Sequence, residues 1–146
     1  MNIGELCSRD LVSVSAQTPL LEVAKVMRDE HVGIVVVTKV PADEQVAAGV
    51  ITDRDIARAW AEHSGDIIGL AVEQVMTHDP LVLNEEDSIE KAISRMRNRG
   101  VRRAPVVTRH GQLLGLVSTD DLIAHAASEL SGLARLLEQQ PRQERH

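Results

Sequence analysis

The sequence predicts an α+β fold: two β-α-β-β-α repeats packed sheet to sheet with pseudo-twofold symmetry. Three observations carry that prediction. The chain matches itself at a nearly fixed offset, the signature of a repeat. Each copy switches between strand and helix periodicity in the same order. The longest apolar runs, Ile34-Val35-Val36-Val37 and Ala104-Pro105-Val106-Val107, suit strands covered on both faces.

The offset is first 69 residues. It lays Asp10 on Asp79, Leu20 on Ile89, Met27 on Met96, Arg28 on Arg97, Val32 on Val101 and Val37 on Val106. It then becomes 66, laying Gly49-Val50-Ile51-Thr52 on Gly115-Leu116-Val117-Ser118 and Asp55 on Asp121. The change falls between Thr38 and Ala48, where a surface hairpin loop tolerates an insertion.

Each element follows in order. Leu11–Val14 and Leu81–Leu83 read as short opening strands. Apolar residues at helical spacing follow: Leu20, Val23, Ala24 and Met27, then Ile89, Ala92, Ile93 and Met96. Thr18 is the expected N-cap of the first helix with Pro19 at its first position, and Asp87 with Glu90 an expected capping box for the second. Gly33–Thr38 and Ala47–Ile51 read as paired strands, as do Ala104–Thr108 and Leu113–Val117 around the turn Arg109-His110-Gly111-Gln112. The closing helices are expected from Asp53 to about His63, and from Thr119 to about Gln139. A lone unit of about 60 residues buries only ~60% of its chain surface, so two units sharing a core make the stable arrangement. The expected divisions are repeat one at 1–63, a linker at 64–71, repeat two at 72–130, and a helix extension with a disordered tail at 131–146. In that last helix Leu122, Ala126, Leu130, Leu133 and Leu137 form an apolar face, for its own module, for self-association or for a partner.

Composition narrows the function. Trp60 is the only aromatic side chain, although 43% of the 146 residues are hydrophobic, so the core is aliphatic. Serial stacking of nucleic-acid bases needs several aromatic platforms. A net charge of −6 disfavours a phosphate backbone as partner. Cys7 stands alone, so neither an internal disulfide nor a thiolate zinc cage is available. The amino terminus lacks a signal-peptide pattern, and no apolar run approaches the ~20 residues of a membrane span. A cytoplasmic location is expected. The six histidines are scattered and read as surface or loop residues. No nucleophile–base pair, acid–base dyad or metal cluster stands out, so the chain reads as a non-enzyme with no metal, cofactor or catalytic residue.

The copies agree best at Gly49-Val50-Ile51-Thr52-Asp53-Arg54-Asp55 and Gly115-Leu116-Val117-Ser118-Thr119-Asp120-Asp121. The hydroxyl falls where strand gives way to helix, and the aspartate on the helix's first turn. Either copy alone is a capping box. The same geometry also suits a nucleotide: helix amides and the hydroxyl for a phosphate, the carboxylate for the vicinal hydroxyls of a ribose. The glycine would let the strand approach a flat base.

The doubled unit, with Val75-Met76-Thr77, Gly100-Val101-Arg102-Arg103-Ala104-Pro105-Val106-Val107 and Thr52-Asp53-Arg54-Asp55-Ile56, resembles a tandem cystathionine-β-synthase (CBS) domain pair over about residues 3 to 130. The resemblance implies a stand-alone bacterial or archaeal regulatory module, a homodimer, that binds AMP, ADP or ATP in two clefts between the repeats. S-adenosylmethionine and NAD are further candidates. The module would signal to an unidentified protein partner by conformational change. The alternative is a constitutive dimeric interaction scaffold without a regulatory ligand. By resemblance, one cleft uses Thr52 and Asp55, with the base near Pro80, Leu81 and Val82. The other uses Ser118 and Asp121, with the base near Val12, Val32 and Gly33. Basic residues before the second strand reach phosphates in the family, which points to Arg102 and Arg103, either of which could serve either cleft because both lie near the central axis. Their counterparts Gly33 and Ile34 are uncharged, so the sites are expected to be unequal, with the Ser118/Asp121 cleft the stronger for phosphates.

Overall fold

The computed structural model describes residues 1–39 and 46–144. The elements run α1 (Ile3–Leu6), β1 (Ser13–Ser15), α2 (Leu20–Glu30), β2 (Ile34–Thr38), β3 (Ala47–Thr52) and α3 (Asp53–Glu62). A 3-10 turn (Val72–Gln74) leads to β4 (Thr77–His78), β5 (Leu83–Asn84), α4 (Ile89–Arg99), β6 (Arg103–Val107), β7 (Leu113–Ser118) and α5 (Thr119–Glu144). This is the expected β-α-β-β-α order in each repeat, with the opening strands two residues later than the sequence suggested. The insertion between the two offsets falls largely on residues 40–45, outside the described part.

Two sheets form, ordered β1-β2-β3-β4 and β5-β6-β7. In each, a parallel opening strand joins an antiparallel hairpin in the same register: Val36 pairs with Val50 and Val37 with Gly49, as Pro105 pairs with Leu116 and Val106 with Gly115. Strand periodicity explains the apolar runs. Val35 and Val37 enter one core with Leu20, Val23 and Ile51, and Ala104 and Val106 enter a second with Leu83, Ala92 and Val117. The alternate residues Ile34, Val36 and Pro105 are also buried but belong to neither core, because they lie between the sheets.

The repeats exchange their leading segments. Ile3 is fully buried in the second core, and its counterpart Val72 is fully buried in the first. Asn2 bridges Ser88, and Ser8 bridges Leu116. At the offsets of the repeat, Ala71 bridges Pro19, and Thr77 in β4 pairs with Val50. The β3 and β7 edges are thereby covered by the leading segments. The motif glycines serve this exchange. A β-carbon on Gly49 would stand 2.8 Å from the Thr77 carbonyl oxygen, and one on Gly115 would run into the Ser8 carbonyl oxygen and lie 3.0 Å from Cys7 Sγ. They admit the neighbouring strap rather than a flat base. Burial of Cys7 in this packing raises its thiol pKa above the ordinary value.

Two caps differ from expectation. The first helix has Pro19 at its N-cap and no side-chain cap, with Thr18 Oγ1 3.1 Å from Ser15 Oγ instead. The second is capped by Ser88, whose Oγ accepts from Lys91 N–H at 3.1 Å. Asp87 is turned inward, where it accepts from Asn84 N–H at 2.9 Å and pairs with Lys91 and Arg95. The last helix outruns its expected end at Gln139, and the segment from 141 expected to be disordered is helical as far as Glu144. It stays on its own module only at its start: Leu122 is buried, whereas Ile123, Leu130, Leu133, Leu136 and Leu137 are exposed. Among the described residues no helix is long and apolar enough to cross a membrane.

Candidate functional site

Each hydroxyl–aspartate pair closes on itself. Thr52 Oγ1 accepts from Asp55 N–H at 3.2 Å, and Asp55 Oδ2 accepts from Thr52 N–H at 2.9 Å. Ser118 and Asp121 repeat both bonds at the same lengths. All four side chains are half-buried. The following residue is anchored to the other hairpin strand in both copies: Asp53 N–H donates to the Gly33 carbonyl at 3.1 Å, and Thr119 N–H to the Arg102 carbonyl at 2.8 Å. Two helix starts, at α3 and α5, are therefore presented in equivalent ways at the seam of the sheets.

A cleft of about 560 Å³ opens beside Thr52 and Asp55. It is lined across the seam by Pro80, Leu81, Arg102 and Arg103, so it brings together six of the residues singled out from the sequence. Val82 is not among them. It lines an adjoining hollow with Lys39, His78 and Arg95, which shares Pro80, Leu81 and Arg99 with the Thr52 cleft. Arg54 and Arg99 also line the Thr52 cleft. They are additions that the motif reading treated as variable or passed over. Their signal was the density of arginine: five of the 16 Lys and Arg residues lie between 95 and 103. Arg99 Nη2 donates to the Asp79 carbonyl at 2.7 Å and so fixes the turn before Pro80, where Asp79 has a φ of 50°. Among the described residues, Arg54, Arg102 and Arg103 form no ion pair.

Val12, Val32 and Gly33 line a smaller hollow of about 250 Å³ with Leu116 and Arg103. Ser118 and Asp121 do not line it. The arginines expected to favour the Ser118 side thus stand in the Thr52 cleft, with Arg103 alone reaching both. Backbone register assigns Arg103 to Ser118, its partner across the ladder, but a long side chain need not stay on its own side.

Two segments of the chain, residues 3–62 and 72–128, match the CBS domain family model. The chain belongs to the CBS domain family. This CBS pair is 27% identical over 123 residues to an uncharacterized protein of Methanopyrus kandleri, covering 84% of this chain and 61% of that relative. It is 30% identical over 120 residues to a 17.7 kDa uncharacterized protein of Acidianus ambivalens, covering 82% of this chain and 70% of that relative. It thus spans less than two thirds of the first relative's length. In fold it is similar to a CBS domain pair crystallised with 5′-methylthioadenosine and S-adenosyl-L-methionine. The TM-score is 0.74 at 18% identity, covering 88% of this chain and 98% of that one.

Of the remaining features of the CBS pair, His31 lines the Val12 hollow and Trp60 stands apart from both clefts. Trp60 lies on α3 with its ring against Gly65, 3.4 Å from where a β-carbon would be, and lines neither cleft. His31, His63, His78 and His110 are exposed and His125 half-buried. Among the described residues no three His, Cys, Asp or Glu side chains gather as a metal site.

Proposed function

We propose that this CBS pair is a ligand-sensing regulatory module, without catalytic activity of its own, that takes an adenine nucleotide in the Thr52 cleft. The observation that carries this reading is the convergence of a helix N-terminus, the Thr52/Asp55 pair and four arginines on one cleft of about 560 Å³. A helix start and guanidinium groups suit phosphate. The half-buried Asp55 carboxylate suits ribose hydroxyls, and Pro80 and Leu81 offer aliphatic surface to a base. A ligand at this helix start would exchange its own hydrogen bonds for the two of the capping box. The adenosyl ligands of the similar CBS pair support the same class. Four arginines favour AMP, ADP or ATP over the cationic S-adenosylmethionine, and the Thr52 cleft over the Ser118 cleft as the stronger phosphate site. Occupancy would change the seam between the sheets and so the surface offered to a protein partner. A homodimer, paired through helices, is part of this reading.

Calorimetry with AMP, ADP and ATP tests it. Asp55→Ala should weaken binding about 10- to 100-fold, the worth of hydrogen bonds to a charged group. Asp121→Ala should have the smaller effect. Equal affinities for wild type and Asp55→Ala would overturn the assignment.

A further inference from the structure

One cation stands between the two clefts. Arg103 lines both the Thr52 cleft and the Val12 hollow, and so does its counterpart Ile34. Both sit at the seam: Ile34 pairs with Thr52, and Arg103 with Ser118. A symmetric module would carry the same side chain at both places. This one carries a guanidinium at one and a butyl group at the other. Arg103 Nη1 lies 3.4 Å from where a β-carbon on Gly33 would be, and Asp53 Oδ2 lies 3.3 Å from the same point. Gly33 offers no side chain to wall the guanidinium off from the hollow. The distribution of the other arginines is one-sided. Arg54, Arg99 and Arg102 line the Thr52 cleft, whereas among the described residues Arg103 is the only Lys or Arg on the hollow, beside Asp10 and His31.

We propose that Arg103 is a phosphate ligand shared by the two clefts, and that sharing makes them antagonistic toward phosphorylated ligands. This rests on the nucleotide reading above. A phosphate monoester brings a charge of about −1.5 to −2. Seated in the Thr52 cleft, it draws the Arg103 side chain to that side, and one guanidinium cannot turn its donors to both clefts at once. The hollow, lined by no other Lys or Arg among the described residues, then has no cation left to offer a second phosphate. A nucleoside without phosphate makes no demand on Arg103, so its two binding events are independent. The module would thus read a phosphorylated ligand once per chain, although it has two clefts.

Calorimetry on the full chain, with AMP and with adenosine as probes, tests the sharing. For wild type, the second AMP should bind about 10- to 100-fold more weakly than AMP binds the Ser118 side of Asp55→Ala, in which the Thr52 cleft is disabled. Arg54→Met combined with Arg102→Met, which strips two arginines from the Thr52 cleft and leaves the helix cap intact, provides the comparison if Asp55→Ala folds poorly. Adding Arg103→Met to either variant should remove the gain. Adenosine should show two independent steps. AMP steps that differ only by the statistical factor would overturn the sharing while leaving the nucleotide reading standing. So would an antagonism that deepens in Arg103→Met, since that is repulsion between phosphates rather than competition for a cation. Failure of AMP, ADP and ATP to bind wild type would overturn the nucleotide reading itself, and the sharing with it.

Discussion

Thr52–Asp55 and Ser118–Asp121 are held by the same two hydrogen bonds, 3.2 and 2.9 Å in each copy, yet their surroundings differ. The first pair stands in a cleft with four arginines. The hollow of Val12, Val32 and Gly33 has less than half that volume and one arginine, and neither Ser118 nor Asp121 lines it. Backbone geometry in this CBS pair is set by hydrogen bonding and core packing, which both copies must satisfy. The charge around it is set by exposed side chains, which are under no such constraint. Duplication therefore preserves the cradle and leaves its contents to diverge.

Substitutions at matched positions probe how far the equivalence goes. The largest loss is expected from the exchanged segments. Ile3→Ala should cost about 2–5 kcal/mol in urea unfolding, because Ile3 is fully buried in the core of the other repeat. Val72→Ala should cost less, since it removes a smaller side chain from an equally closed site. A cost near zero for Ile3→Ala would mean that the leading segment does not belong to the second core. Next come the strap glycines. Gly115→Ala sets a methyl group against the Ser8 carbonyl and should lose about 1–3 kcal/mol. Gly49→Ala should lose less, because its nearest neighbour is the flexible Met76 side chain. The reverse order in thermal melts would contradict the packing described here. Smallest are the caps. Thr52→Ala and Ser118→Ala should each lose about 0.5–2 kcal/mol, and by similar amounts, since their hydrogen bonds are the same length. A large inequality would show that the two helix starts are not energetic equivalents.

Much of this was legible along the chain. The offset between copies located every hairpin strand, because period-two apolar runs bounded by turn residues have few alternatives. The repeated Thr/Ser-x-x-Asp located two helix starts, because capping is a local interaction spanning three residues. The cap of α4 was misplaced by one residue: Asp87 and Ser88 both suit an N-cap, and only the nearby Lys91 and Arg95 draw Asp87 inward. The leading segments were not legible. Four residues of α1 are too few to show a period, and Ile3 finds its partners around Asp87, far along the chain. The motif glycines were read as room for a base because the strap that needs the room comes from the other repeat.

By itself the sequence determined that there are two α+β units, that their cores are aliphatic, and that each ends in a capped helix. These follow from periodicity and from contacts between near neighbours. Only the tertiary structure decided which repeat's leading segment completes which core, and which cleft receives the arginines. Both depend on groups far apart in sequence meeting across a seam. For a side chain as long as Arg103, its place in the ladder says where it starts but not which cleft it reaches.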